Sequence, residues 1–256
     1  MGRKPAALSN SGVYHIVFKG ANAQDIFYGD DDRLEFLSRL QWVLGKYNAS
    51  ALAWALMDNH VHLVLDCGTT DPALLQHDLA GPYARSFNLR YGRVDPLFAE
   101  RPFREGVEDQ SYLYAVVRYV HWNRAVAGLA AGLEDRWTSY REVLAGEGIV
   151  DVARLLDVFG CVEEFVRFHE SGLGGHDAPL ARSDQGLLTD EQLIRYHERR
   201  WGGGELRDGG PVDESRAGRT HSRAEEDRRA QQAAAAGHGV ERVQGEVGAP
   251  IRHATS

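Results

Sequence analysis

The chain has little cysteine, no long apolar run and no excess of positive charge. Its two cysteines, Cys67 and Cys161, are far apart and match no metal-binding or redox spacing. No apolar stretch approaches the roughly 20 residues that a membrane-spanning helix needs. The first residues carry positive charge but are followed by no apolar core or cleavage site of the signal-peptide kind. These absences predict a reduced, cytoplasmic protein that makes no membrane contact.

A formal net charge of −8 at pH 7 argues against a protein that coats nucleic acid uniformly. It leaves room for a local basic patch, because the distribution of charge on the contacting face decides binding. The chain has 256 residues and 43% hydrophobic residues, which is enough for one good core or two small domains.

The hydrophobic pattern changes between period two and helical spacing along the first half of the chain. Period-two segments predict strands at residues 12–20, 51–57 and 60–66, while helical spacing predicts helices at 30–47, 72–87, 111–129 and 137–144. Residues 92–104 are basic and are predicted to be irregular. This order predicts an α+β fold, a ferredoxin-like antiparallel sheet with helices packed on one face.

The composition changes after residue 148. Three further helices are predicted at residues 150–159, 162–168 and 189–201. From residue 202 large apolar side chains are almost absent, so this segment cannot bury enough surface to offset its ordering entropy. We therefore predict a folded domain at residues 10–145, a small C-terminal helical extension at 146–201 and a disordered tail at 202–256.

Two histidines lie one residue apart in the third predicted strand. Because alternate strand side chains share a face, His60 and His62 are expected to lie side by side. Two imidazoles in that arrangement can bind one divalent cation. The pattern alone is short and common, and it is more typical of strand histidines that hydrogen-bond to their neighbours.

A tyrosine and an asparagine lie one turn apart on the predicted helix at 111–129. Tyr119 and Asn123 are four residues apart and therefore project from neighbouring positions on one side. Beside the histidine pair, the amide oxygen of Asn123 would be a third cation ligand and Tyr119 would be the nucleophile. Taken alone, both residues are also compatible with ordinary packing, and Tyr112 and Tyr114 are competing phenols.

Aromatic and arginine side chains alternate between residues 83 and 104. Such a stretch can stack bases and neutralise phosphates, although a helix with a buried face and a solvated arginine face has the same pattern. The candidate DNA contacts are Arg85, Arg90, Arg93, Arg101 and Arg104.

Two segments resemble known motifs. Residues 57–63 resemble the His-hydrophobic-His signature of HUH nucleases, and residues 118–129 resemble the tyrosine helix of the REP-associated tyrosine transposases, a single-tyrosine branch. The resemblance covers about residues 10–145. Further agreement in order and spacing comes from residues 20–27, 97–98 and 137–140. One departure is Arg124, because the family usually has proline after the asparagine.

The resemblance implies an HUH nuclease fold and a metal-dependent single-stranded DNA endonuclease and strand transferase. It implies that Tyr119 attacks DNA beside a REP-like hairpin to give a 5′-phosphotyrosine, with Mg²⁺ or Mn²⁺ held by His60, His62 and Asn123. A catalytically inactive hairpin-binding module of the same fold is the alternative, and both a monomer and a homodimer remain open. A barrel metallohydrolase would need eight strand–helix repeats, and an RNA-binding sheet would need aromatic residues where the two histidines lie.

Overall fold

The computed structural model describes residues 8–99 and 101–171, together with the backbone of residues 181–183 and 186–188. Residues 8–89, 93–99 and 101–171 belong to one compact unit. The predicted helix at 189–201 and the predicted tail at 202–256 lie outside the described residues. They stay predictions, as do the three domain boundaries.

Four strands of the described chain form one antiparallel sheet in the order β2-β3-β1-β4. They are β1 Val13–Lys19, β2 Ser50–Leu56, β3 His60–Asp66 and β4 Phe103–Gly106. The α-helices of the described residues are α1 Asp30–Tyr47, α2 Pro72–Arg90, α3 Gln110–Val126, α4 Tyr140–Ala145, α5 Val152–Phe159 and α6 Val162–Glu170. Two short strands, β5 Ala181–Ser183 and β6 Gly186–Leu188, pair with each other. None of the described helices is both long enough and apolar enough to span a bilayer.

The strand order and the antiparallel pairings are those of a ferredoxin-like sheet, which confirms the predicted α+β fold. Helices α1 and α2 cover the face that carries Phe18. The ring of Phe18 lies 6.4 Å from that of Phe36 in α1, and Phe36 lies 5.2 Å from Tyr83 in α2. These buried aromatic rings form the core between the sheet and its first helical layer.

Helix α3 lies against the opposite face of the sheet, so helices cover both faces rather than the one face that the sequence pattern predicts. The ring of Tyr119 in α3 lies 5.4 Å from that of His62 in β3. The physical reason is burial of strand β2, in which every residue from Ala51 to Leu56 is buried. A strand that is apolar on both faces needs a cover on both, and α3, which packs against β2, supplies the second one.

Strand β4 was not predicted, because residues 92–104 read as irregular. The strand has four residues and pairs only with β1, where Phe103 lies opposite Val17 and Glu105 lies opposite His15. Its sequence, Phe-Arg-Glu-Gly, has no apolar alternation, so nothing local marks it as a strand. Its pairing with β1 completes the fourth position of the ferredoxin-like sheet.

The backbone carbonyl and the side chain of Asp58 anchor the turn between β2 and β3. The Asp58 carbonyl accepts hydrogen bonds from the backbone N–H groups of Ile26 and Phe27 at 2.8 and 3.3 Å. The Asp58 carboxylate pairs with Arg33 at 2.5 Å. These contacts hold the first residue of β3, His60, at a defined place on the edge of the site described below.

Arg124 fixes the end of α3 to the sheet. Its Nη1 donates to the Leu56 carbonyl at 2.6 Å and its Nε donates to Asp135 at 2.7 Å. The side chain is buried. Because arginine keeps the backbone N–H that proline lacks, α3 continues without interruption to Val126, and the guanidinium ties it to β2.

A buried chain of hydrogen bonds joins α3 to α6. The Ser139 hydroxyl donates to His121 Nε2 at 2.8 Å, His121 Nδ1 donates to His169 Nε2 at 2.9 Å, and His169 Nδ1 donates to the Phe165 carbonyl at 2.8 Å. The carbonyl can only accept, so it sets the direction of every bond and the tautomer of both rings. A proton added to Nε2 of His169 would face the Nδ1–H of His121, so it requires His121 to change its tautomer.

The neutral histidines of this hydrogen-bond chain predict that the folded protein loses stability in acid. Burial lowers the pKa of His169 to about 3, whereas an unfolded histidine has a pKa of about 6.5. Below pH 6.5 the unfolded chain therefore binds a proton that the folded chain does not, and the free energy of unfolding falls by about 1.4 kcal/mol per pH unit for this residue. Urea unfolding between pH 7.5 and pH 5 measures the slope.

In the His169→Gln variant, the slope of the free energy of unfolding against pH is expected to fall by the contribution of about one proton. The matched control is His77→Gln, because His77 is exposed on α2 and lies outside the hydrogen-bond chain. If the free energy of unfolding changes with pH equally in wild type and His169→Gln, His169 is not held neutral in the folded protein.

Candidate active site

Strand β3 places two imidazoles side by side on the face that α3 covers. The ring centroids of His60 and His62 lie 4.9 Å apart. His62 is 2% exposed and His60 is partly exposed. The period-two alternation predicts this arrangement, and it leaves one histidine inside the protein and the other at the rim of the site.

The hydrogen bond of His60 sets its tautomer. Its Nδ1 lies 2.6 Å from the side-chain oxygen of Asn59, and that oxygen can only accept. Nδ1 therefore carries the proton and Nε2 carries the lone pair. Burial, with a contribution from the positive charge of Lys19, lowers the pKa of His60 to about 4. His60 is neutral at pH 7, which is the form that binds metal ions.

His62 has partners at both ring nitrogens. Its Nε2 lies 3.4 Å from the amide nitrogen of Asn123, and its Nδ1 lies 3.0 Å from Nε2 of His15. An amide nitrogen only donates, so Nε2 of His62 carries the lone pair and its Nδ1 donates to His15. His60 and His62 thus both hold their protons on Nδ1.

His15 is a site residue that the sequence analysis did not identify. It is fully buried on β1, and its ring stacks against His62 with 5.3 Å between the centroids. The feature of the sequence that marks His15 is its position inside an otherwise apolar strand. Its partner could not be recognised without the β1–β3 register, which pairs Val17 with His62 and thereby places His15 on the same face.

Helix α3 brings Tyr119 and Asn123 to the histidine pair. The Tyr119 ring is perpendicular to that of His62 at 5.4 Å and lies 6.2 Å from that of His15. Asn123 follows one turn later and reaches His62. The four predicted residues therefore converge, although two of them come from a strand and two from a helix about 60 residues further along the chain.

The competing phenols are directed elsewhere. The Tyr112 hydroxyl donates to Glu105 at 2.9 Å, at the β4 edge of the sheet. The Tyr114 hydroxyl donates to the Val158 carbonyl of α5 at 2.6 Å. Of the three tyrosines on α3, Tyr119 is the one whose ring contacts His62.

The donor set fits a divalent cation with two nitrogen ligands and one oxygen ligand. His60 and His62 both carry a lone pair on Nε2, and each has its Nδ1 proton fixed by a neighbour, as metal-binding histidines commonly do. The lone pair of His62 accepts from the amide nitrogen of Asn123, so a bound cation would replace that hydrogen bond and turn the amide oxygen of Asn123 towards itself. Among the described residues no group of three or more His, Cys, Asp or Glu side chains is suited to a metal ion. The candidate site therefore depends on the carboxamide of Asn123 for its third ligand.

Arg93 and Arg104, which are among the predicted DNA contacts, bond to neighbouring side chains. Arg93 donates to the Tyr28 hydroxyl at 2.9 Å and also to the side chain of Gln24. Arg104 pairs with Asp71 at 3.2 Å. Both side chains are thus held at the surface by contacts that stabilise the fold.

Arg104 lies on the opposite face of the sheet from Tyr119. Arg104 lies opposite Ile16 in the β1–β4 register and so faces the layer of α1 and α2. Arg85 and Arg90 are exposed on α2, and Arg101 is exposed just before β4. Their role in DNA binding stays a prediction.

Residues 9–123 match the protein-family model described as "Transposase IS200 like". This segment belongs to the IS200-like transposase family. The matched residues of the transposase domain include His15, His60, His62 and Tyr119, and the match ends at Asn123. The family that the sequence motifs resemble is therefore confirmed.

Two solved structures are similar to the transposase domain at low identity. One is described as a REP-associated tyrosine transposase bound to a REP hairpin, with a TM-score of 0.48 and 13% identity over 59% of this chain and 90% of that chain. The other is described as a proposed transposase from Deinococcus radiodurans R1, with a TM-score of 0.33 and 13% identity over 50% of this chain and 96% of that chain. The chain matches no curated protein. The family assignment rests on the match to the family model.

Proposed function

We propose that this transposase domain cuts and rejoins single-stranded DNA beside a hairpin, with Tyr119 as the nucleophile. The observation that carries the proposal is the convergence of Tyr119 and Asn123 with His60 and His62 on one face of the sheet. A phenol, two neutral imidazoles and a carboxamide are the groups that a tyrosine-based phosphodiester transfer needs.

The Tyr119 oxygen attacks the scissile phosphorus and the bond from phosphorus to the 3′-oxygen breaks. The products are a 5′-phosphotyrosine and a free 3′-hydroxyl. The phenol proton is lost to solvent, and the leaving 3′-oxygen takes up a proton. Because the covalent link keeps the energy of the phosphodiester, a second 3′-hydroxyl can attack the phosphotyrosine and join a new strand.

His60, His62 and Asn123 would hold Mg²⁺ or Mn²⁺, of which Mn²⁺ tolerates nitrogen ligands better. When bound, the ion withdraws charge from the scissile phosphate and orients it. The protein's contribution is to fix the direction of both imidazoles. Asn59 does this for His60 and His15 does it for His62.

His15 is expected to be a positioning residue for the metal site. Replacing His15 with leucine removes the acceptor for the Nδ1 proton of His62 and should weaken Mn²⁺ binding by about 10- to 100-fold. His15→Gln keeps an acceptor oxygen and should recover part of that affinity. Titration calorimetry of DNA-free protein measures both, with His77→Gln as the control. A folded His15→Leu protein with wild-type Mn²⁺ affinity would contradict this role.

The proposed activity is tested with a pool of hairpin oligonucleotides that carry randomised single-stranded flanks. Incubation with Mn²⁺ or Mg²⁺ should transfer a 3′-terminal label to the protein. The label should stay with the protein on a denaturing gel, because the link is covalent. The released fragment should retain a 5′-terminal label and end in a 3′-hydroxyl that a polymerase can extend. Hairpin binding without any adduct under either metal would instead identify an inactive binding module.

A further inference from the structure

A recess with a volume of about 450 Å³ lies beside the segment that connects α3 to α4. Residues 130–133 of that segment, with the sequence Ala-Ala-Gly-Leu, form its apolar wall. Two glutamates line it as well, Glu134 from the same segment and Glu170 from the end of α6. No lysine or arginine is among the described residues that line it. A recess of this volume is large enough for a small organic ligand.

Tyr140, the first residue of α4, also lines the recess. The side chain is 3% exposed, and its hydroxyl makes no hydrogen bond with any described residue. Its ring stacks on that of Phe165 at 5.5 Å and lies 5.2 Å from that of His169. These contacts hold the ring in the core, and the hydroxyl is the polar end that it presents to the recess. A buried hydroxyl without a partner is costly, and a ligand in the recess can supply the missing hydrogen bond.

The two glutamates give the recess a net negative charge. Asp135 lines it too, but its carboxylate is neutralised by Arg124 at 2.7 Å. The carboxylates of Glu134 and Glu170 have no ion pair or hydrogen bond within the part of the chain that the structure describes. Burial and the negative charges of Glu170 and Glu134 raise the pKa of Tyr140, so its phenol keeps the proton. Two like charges at one recess repel each other, and a bound cation with N–H donors would relieve that repulsion.

Neither DNA nor a bare metal ion suits this recess. The two carboxylates would repel a phosphate, and no group of three or more His, Cys, Asp or Glu side chains among the described residues is suited to a metal ion. An alkyl diammonium ion matches both the charge and the wall. Its two charged ends can pair with two carboxylates, and its methylene chain can lie against the apolar residues.

We propose that this recess binds an alkyl diammonium ion, with Glu134 and Glu170 pairing with its two ammonium groups. The hydroxyl oxygen of Tyr140 accepts a hydrogen bond from one of them. Binding there needs neither the proposed metal site nor DNA, so the diammonium site and the proposed function can each fail without the other.

Titration calorimetry of the full chain with diaminobutane should show saturable binding. Butanediol, which has the same chain length and no charge, should not bind. Butylamine, which has one ammonium group, should bind about fivefold more weakly. The net charge of −8 attracts every cation weakly, so variants of the recess are needed to locate the binding.

Tyr140→Phe keeps the ring and its packing, and it should weaken diaminobutane binding about tenfold. Glu134→Gln and Glu170→Gln each remove one charge and should each weaken it about fivefold. With only one carboxylate left, either variant should also lose the preference for diaminobutane over butylamine. The matched control is Glu164→Gln, because Glu164 lies on the same helix as Glu170, pairs with Arg167 at 3.4 Å and does not line the recess.

Nuclear magnetic resonance of protein with isotope-labelled tyrosine rings gives an independent readout. The signals of Tyr140, identified by their loss in Tyr140→Phe, should shift when diaminobutane is added and stay unchanged with butanediol. The inference is overturned if wild type shows no saturable binding, or if the two recess glutamate variants bind diaminobutane as tightly as Glu164→Gln does. Equal affinity of wild type for butylamine and diaminobutane would also overturn it.

Discussion

Replacement of Tyr119 by phenylalanine is expected to abolish the covalent protein–DNA adduct, a loss on the order of a thousandfold or more. Phenylalanine keeps the ring that lies 5.4 Å from that of His62 but lacks the oxygen that attacks phosphorus. Binding of hairpin DNA should persist, because the fold and the basic groups are unchanged. Adduct formation is measured on a denaturing gel and DNA binding is measured by fluorescence anisotropy.

The neighbouring tyrosines provide matched controls. Tyr112→Phe and Tyr114→Phe remove hydroxyl groups that bond to Glu105 and to the Val158 carbonyl. Each change should cost about 1 kcal/mol of stability and leave adduct formation near the wild-type rate. An adduct that survives Tyr119→Phe but disappears in one of these variants would place the nucleophile elsewhere on α3.

Replacement of His62 by alanine is expected to have the second largest effect. The substitution removes one of the proposed metal ligands and leaves the space beside His15 unfilled. Mn²⁺ affinity should fall by more than about 100-fold, beyond the loss expected for an outer partner of a metal ligand. Adduct formation should then fall below detection at ordinary Mn²⁺ concentrations, and it should recover in part when Mn²⁺ is raised.

Chelation of the metal provides the complementary test on unaltered protein. EDTA should stop adduct formation, and added Mn²⁺ or Mg²⁺ should restore it fully. The control variant is His77→Ala, since His77 is an exposed histidine on α2, and it should behave as wild type. Full adduct formation in EDTA would remove the metal from the mechanism while leaving Tyr119 as a candidate nucleophile.

The parts of the site that are local in sequence could be predicted from the sequence. His60 and His62 are two residues apart in an apolar strand, and Tyr119 and Asn123 are one helical turn apart. The strand and helix periods alone place each pair on one side of its element. The convergence of the two pairs came from the family resemblance rather than from either period.

The parts that depend on pairing between distant segments could not be predicted in this way. The partnership of His15 with His62 follows from the β1–β3 register, which local patterns do not reveal. Strand β4 is too short and too polar to be recognised before its pairing with β1 is known. The position of α3 on the second face depends on the burial of β2 on both sides, and the buried guanidinium of Arg124 helps to hold it there.

The most direct test of the central claim is to identify the residue that becomes linked to DNA. Trypsin cuts after Arg118 and Arg124, so Tyr119 falls in a peptide of residues 119–124, separate from the peptide of residues 105–118 that holds Tyr112 and Tyr114. After nuclease digestion of the covalent complex, mass spectrometry should find a 5′-nucleotide phosphate on peptide 119–124. The same mass on peptide 105–118 would contradict the account.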